Sequence, residues 1–249
     1  MKVILSNTAK ELGVKAAKAT AELINRAIEE KGSARIVLST GASQFTTLEA
    51  LIEENVDWSK VEMFHLDEYI GIDETHPASF VKYLKERFVS KVNLKNVYFV
   101  DPSQGVDETI AFLTEKLGEA TVDVGLIGIG ENAHVAFNDP PADFEDINSY
   151  KVVVLAPRCR QQQLGEGWFA TIDDVPEKAI SMTVKQILRC EHIISAVPYK
   201  VKAQAIYDTI NSEISNMIPA TILKTHADAQ LFIDADSASL LGDNIPENV

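Results

Sequence analysis

Short apolar runs alternate with longer stretches of helical spacing along the whole chain. Residues 3–5, 36–38, 61–66, 97–100, 122–127, 152–155, 193–197 and 230–233 have the length and composition of strands. Residues 8–31, about 45–54, 78–88, 108–117 and about 200–210 carry apolar positions near the 3.6-residue period of a helix, and a short helix is expected after 233. Asn7 or Thr8 is placed to cap the first helix. Strand followed by helix, repeated about seven times, predicts an α/β fold: a mostly parallel open sheet with helices on both faces, a Rossmann-like three-layer sandwich. No repeat, low-complexity tract or Pro/Gly-rich linker divides residues 1–249, so a single domain is expected. The turn-rich segment 139–148 is too polar for the core and reads as a functional loop.

Composition narrows the partners. The 249 residues are 46% hydrophobic, enough for one large α/β domain or two small ones, and carry a formal net charge of −14. That charge repels phosphate backbones and anionic lipid, so neither nucleic acid nor membrane is expected as a partner. A small phosphorylated ligand needs a local cluster of donors and cations. The two cysteines, Cys159 and Cys190, fit neither a disulfide framework nor a zinc pattern. With no signal-like start and no run of about 18 apolar residues, a reducing, cytoplasmic setting is expected.

Ligands of open α/β sheets bind beyond the carboxyl ends of the strands, so the residues leaving each strand are the candidates. Ser39, Thr40, Gly41, Ala42 and Ser43 follow the second strand. Small residues before a helix leave N–H groups free for a phosphate, although the same string also makes an ordinary turn. Asp67 and Glu68 follow the third strand. A carboxylate desolvated there can act as a base, whereas a solvated acidic pair is the plainer alternative. Gly128-Ile-Gly-Glu-Asn-Ala superficially matches a dinucleotide fingerprint. A histidine, His134, follows where that fingerprint requires a long helix, so the glycines are read as allowing close backbone approach. His134 is a core histidine or a catalyst, and Asn132 and Asp139 flank it as groups able to orient its ring. Lys200 and Lys202 open a helix, where they oppose its dipole unless an anion binds. Arg158 and Arg160 are further anion-gripping candidates.

These residues resemble one family. Leu66-Asp-Glu-Tyr-Ile-Gly71, His76-Pro-Ala-Ser-Phe80, Gly128 to Pro140, Phe169-Ala-Thr-Ile-Asp-Asp-Val-Pro176, Lys202-Ala203 and Ile218-Pro-Ala220 together are similar to the glucosamine-6-phosphate deaminase (isomerase) family, in the superfamily that also holds 6-phosphogluconolactonases. The resemblance implies conversion of glucosamine 6-phosphate, or a related hexosamine 6-phosphate, to fructose 6-phosphate and ammonia, with no metal or organic cofactor. It implies that Asp67 moves a proton between C2 and C1, that His134 helps open the pyranose ring, and that Asn132 and Asp139 position and tune His134. It also implies that Lys202 and the Ser39–Ser43 loop hold the phosphate. The chain departs from the family pattern at several points. Asn132 stands where many members have Asp, Asp139 where Glu is common and Ala133 where Gly is usual. The phosphate-binding Arg before Phe169 is absent, with Gly167 near its place, and Arg160 or Arg158 is expected to substitute. The longer C-terminal tail of allosteric members is also missing, so regulation by an acetylated sugar phosphate is not expected. A 6-phosphogluconolactonase-like hydrolase and a catalytically weakened sugar-phosphate sensor are the alternatives, and homo-oligomerisation is left open.

Overall fold

The computed structural model describes residues 1–165, 167–242 and 245–249, with the backbone alone at Gln104. In chain order its elements are β1 (Lys2–Ser6), α1 (Ala9–Lys31), β2 (Ala34–Leu38), α2 (Phe45–Leu51), β3 (Val61–His65), β4 (Asp67–Tyr69), α3 (Phe80–Leu84) and β5 (Asn96–Tyr98). There follow α4 (Val106–Gly118), β6 (Val124–Leu126), β7 (Tyr150–Val154), α5 (Pro157–Gly165), β8 (Lys178–Met182), α6 (Val184–Ile187), β9 (His192–Val197), α7 (Ala203–Asn211) and β10 (Ala229–Asp234). Seven strands form one sheet in the order β1-β10-β9-β6-β2-β3-β5, and every pair in it is parallel. β2 is buried at all five positions, as a central strand covered on both faces must be.

Alternation along the strands sends side chains to two cores. Ile36 and Leu38 join α1 and α2 on one face, with Leu12, Ile24 and Leu48. Val37 and Phe64 face the other way, onto Leu113 of α4 and Ile206 of α7. The three-layer α/β architecture expected from the sequence is therefore present. α1 begins where Thr8 accepts the Glu11 N–H and ends at Gly32, whose positive φ of 81° lets its N–H reach Ile28 O.

Four details correct the pattern reading. The apolar run at 152–155 falls in a strand, β7, but it lies outside the parallel sheet. It pairs antiparallel with β8, which pairs antiparallel with β4. Its Val152 and Val154 are 42% and 74% exposed, as an antiparallel sheet with one wet face permits. The helix expected over 78–88 is short, and a π-helical turn, Lys85–Val89, continues it. The helix expected at 200–210 starts as a tight 3-10 turn, Lys200–Lys202, before α7. After β10 the chain forms turns rather than a short helix. Among the described residues, no helix is long and apolar enough to cross a membrane.

Candidate active site

Strand order reverses between β2 and β6: β3 lies to one side of the pair and β9 to the other. A crevice opens there at the carboxyl ends. Its lining includes Ser39, Thr40, Gly41, Ala42, Ser43, Asp67, Gly128, Gly130, His134 and Lys202. The crevice encloses about 150 Å³ and opens to solvent at its mouth.

The loop after β2 is held from behind. Gln44, 1% exposed, donates to Ser43 Oγ at 3.0 Å and to Ala196 O of β9 at 3.1 Å. Ser39 Oγ is buried with no hydrogen-bond partner among the described residues, an uncommon state that a ligand atom would relieve. Lys202, 8% exposed, reaches the same cavity from the turn after β9. Tyr199 starts that turn at φ 80°, with its N–H 3.2 Å from both Asp234 oxygens. Lys202 is the one lysine or arginine among the described lining residues.

β4 separates the two acids. Successive side chains of a strand point to opposite faces, and Asp67 lines the cavity while Glu68 turns away. Glu68 accepts from Tyr69 N at 2.9 Å, Ser79 Oγ at 2.9 Å and Val81 N at 2.8 Å, and so anchors the start of α3. Neither acid is solvated: Asp67 is 5% exposed and Glu68 2%. Burial, reinforced by the nearby Glu68 charge, raises Asp67 to about 8, against a smaller downward pull from the Phe137 N–H. Burial likewise raises Glu68 to about 7, despite its hydrogen bonds.

The loop after β6 carries the histidine. Ala133 and Ala136 sit at φ 63° and 49°, folding the chain tightly around His134. Ala133 O accepts the Ala220 N–H at 2.8 Å, which ties this loop to the Ile218–Ala220 motif. The His134 ring lies against Gly130, where any Cβ would collide with it. His134 Nδ1 is 3.3 Å from Asp139 Oδ1. Asn132 Nδ2 donates to that same oxygen at 2.9 Å, and Ala156 N donates to Asp139 Oδ2 at 3.1 Å. Asn132 Oδ1 in turn accepts the His134 backbone N–H at 3.2 Å. Burial opposes the Asp139 charge, but the His134 ring, the Asn132 amide and the Ala156 N–H hold its pKa below the usual value. Asn132, His134 and Asp139 thus form one connected unit. His134, Asp139 and Cys159 also bring one potential metal-ligand atom each within 4.8 Å of one another, although both Asp139 oxygens already accept protein N–H groups.

The arginines do not join the site. Arg160 donates to Ile172 O at 2.6 Å and to Val175 O at 2.9 and 3.2 Å, so its guanidinium secures a turn of backbone. Arg158 and Lys200 are exposed and absent from the cavity wall. The wall instead includes Gln162 and Gln163 of α5, which the sequence reading passed over in favour of the neighbouring arginines. Their signal was the Gln161-Gln-Gln163 string on a helix that also carries the buried Cys159.

An open parallel sheet, a donor loop with a buried lysine, and a histidine unit beside a buried acid define a small-molecule site of the α/β class. The sequence model described as glucosamine-6-phosphate isomerases/6-phosphogluconolactonase matches residues 7–232, and the chain belongs to that family. It is 32% identical over 251 residues to a glucosamine-6-phosphate deaminase of Thermoanaerobacter pseudethanolicus, covering 98% of this chain and 96% of the relative. It is 33% identical over 250 residues to glucosamine-6-phosphate deaminase 1 of Bacillus subtilis, covering 96% and 99%. A solved monomeric glucosamine-6-phosphate deaminase superposes with a TM-score of 0.87 at 30% identity, covering 96% of this chain and all of that one. A 6-phosphogluconolactonase from Thermotoga maritima, at TM-score 0.77 and 16% identity, shares the fold.

Proposed function

We propose that the chain converts glucosamine 6-phosphate and water to fructose 6-phosphate and ammonia. The observation that carries this reading is the buried acid Asp67 in the same cavity as His134 and Lys202. The full-length likeness to relatives named for this activity supports it.

The residues suit the successive steps. Lys202 and the Ser39–Ser43 loop bind the phosphate by charge and by backbone donors. His134, oriented by Asp139 and Asn132, moves a proton from the C1 hydroxyl to the ring oxygen as the C1–O5 bond breaks. Asp67 takes the proton from C2 of the open aldose while one ammonium proton passes to the C1 oxygen, giving an enolamine; Asp67 then returns its proton to C1, leaving an iminium at C2. Water adds there and ammonia departs. In the free protein Asp67 holds its proton unusually tightly because its charge is desolvated. An ammonium group on C2 supplies the missing opposite charge, so substrate binding itself favours the ionised base. A lactone brings no such cation.

Purified protein is expected to release ammonia from glucosamine 6-phosphate, and Asp67→Asn and His134→Ala are each expected to abolish it. A panel with galactosamine 6-phosphate and 6-phosphogluconolactone defines the alternatives. Lactone hydrolysis without ammonia from either amino sugar would overturn the proposal.

A further inference from the structure

The buried amide of Gln163 has one end committed to the protein and one end uncommitted. Gln163 lies on α5 and is 5% exposed. Its Oε1 accepts the Tyr69 hydroxyl at 2.5 Å. Among the described residues no acceptor meets its Nε2, and the side chain lines the cavity. That end of the amide is therefore available to a molecule in the crevice. Its neighbour Gln162 lines the same wall, and the Gln162 Oε1 accepts the Glu131 N–H at 3.1 Å.

The two anchors say which part of a ligand this wall meets. Tyr69 stands two residues beyond Asp67 on β4, and Glu131 stands three residues before His134. α5 is therefore fastened to both segments that bear the proposed acid–base groups. The phosphate-holding loop is fastened elsewhere, through Gln44 to β9. Wall and loop are thus tied to different strands of the crevice. A carboxamide N–H is also the wrong group to stand in for a guanidinium on phosphate. It is neutral and suits a neutral acceptor.

The geometry points to a hydroxyl-binding subsite in which Gln163, held in register by Tyr69, donates from Nε2 to a hydroxyl on C3 or C4 of the sugar chain. This inference rests on the proposed substrate class and adds a determinant of which epimer is accepted. Gln162 shapes the same wall by fixing the Glu131 end of the histidine loop.

The test reads binding separately from turnover. Calorimetry with fructose 6-phosphate and with inorganic phosphate is run on the full chain, on Gln163→Leu and on Tyr69→Phe. Thermal melts confirm that each variant folds. Gln163→Leu is expected to weaken fructose 6-phosphate by about tenfold, the scale of one lost hydrogen bond to a buried group, while inorganic phosphate binds as before. Tyr69→Phe, which keeps Nε2 but frees its anchor, is expected to lose less. In turnover, the preference between glucosamine and galactosamine 6-phosphates shrinks in Gln163→Leu if C4 is read. The 3-deoxy substrate loses nothing further in that variant if C3 is read. Unchanged fructose 6-phosphate affinity in a folded Gln163→Leu overturns the inference, as does an equal loss for inorganic phosphate. Absence of ammonia release by the unaltered chain would instead sink the proposed reaction, while the binding comparison would still decide the subsite.

Discussion

Asp67→Asn should separate stability from activity in a pH-dependent way. The Asp67 carboxyl titrates at about 8 in the folded chain against 3.8 when solvated. The folded state therefore holds a proton that the unfolded state releases throughout the interval between those values. Stability from this group is full below about 3.8 and is lost as pH rises towards 8. One pKa unit corresponds to about 1.4 kcal/mol, so the buried acid costs on the order of 4 kcal/mol more at pH 8 than at pH 5. The asparagine side chain is nearly the same shape and carries no charge at any pH. The variant should gain on the parent as pH rises, by roughly 10 °C in melting temperature at pH 8 for a chain of this size. At pH 5 most of the difference should vanish. Ammonia release should fall by at least about 100-fold, the lower end of what a positioned base contributes. Differential scanning calorimetry of both proteins at pH 5, 6.5 and 8 gives the first quantity and a coupled ammonia assay the second. A melting difference independent of pH would refute the claim that Asp67 is held as a desolvated acid. Retained activity would refute its role as the base.

Four further outcomes follow from the same geometry. Gly130→Ala places a methyl where the His134 ring lies; Gly130 is not among the positive-φ residues, so ring displacement and not backbone strain should lower kcat by roughly 100-fold, read by steady-state kinetics beside a melt. Asn132→Asp sets a second carboxylate against Asp139 Oδ1, now 2.9 Å from the amide nitrogen; the acid limb of the kcat/KM profile should move to higher pH, because added negative charge favours the protonated His134. Lys202→Met should raise KM by roughly 10–100-fold with a smaller effect on kcat, and the ratio of phosphorylated to unphosphorylated sugar turnover should collapse with it. Dialysis against EDTA should leave ammonia release unchanged; activity lost to chelation and restored by Zn²⁺ would mean that His134, Asp139 and Cys159 hold a metal rather than orient a proton relay.

The parallel sheet was legible because its central strands are buried on both faces and read as largely apolar runs, as in residues 36–38 and 193–197. The second sheet was not. β4 has three residues and follows β3 after the single residue Leu66, too short for any period to show. β7 shows apolar residues on both its faces, although Val154 is 74% exposed, so its sequence imitates a strand of the parallel sheet. Among the site residues, Asp67 and His134 were legible from their places at strand ends, and the structure brings them into one cavity. Arg160 could not be judged in the same way. Sequence reveals a guanidinium, but not that the Ile172 and Val175 carbonyls already occupy its donors. Gln163 shows the converse. A neutral side chain carries no sign of function until Tyr69 is seen holding one end of it.

The electrical layout of the crevice also argues for the kind of ligand proposed. Among the described residues the Ser39 hydroxyl has no partner, and beside the positive Lys202 it suits an anion, while Asp67 is a desolvated acid that a cation would ionise. Lys202 follows β9 and Asp67 follows β3, with β6 and β2 between them. Three strand spacings of about 4.8 Å put those backbones roughly 14 Å apart, room for a six-carbon chain and its phosphate once the side chains reach inward. A ligand with a phosphate at one end and an ammonium near the other suits both ends of the crevice at once. A sugar phosphate without nitrogen suits only the first. Because the whole chain carries −14, long-range attraction contributes nothing to capturing a phosphate, and affinity must come from these local groups. Added salt should therefore screen the repulsive field of the protein as well as the Lys202 contact, leaving KM less salt-sensitive than at a site of net positive field.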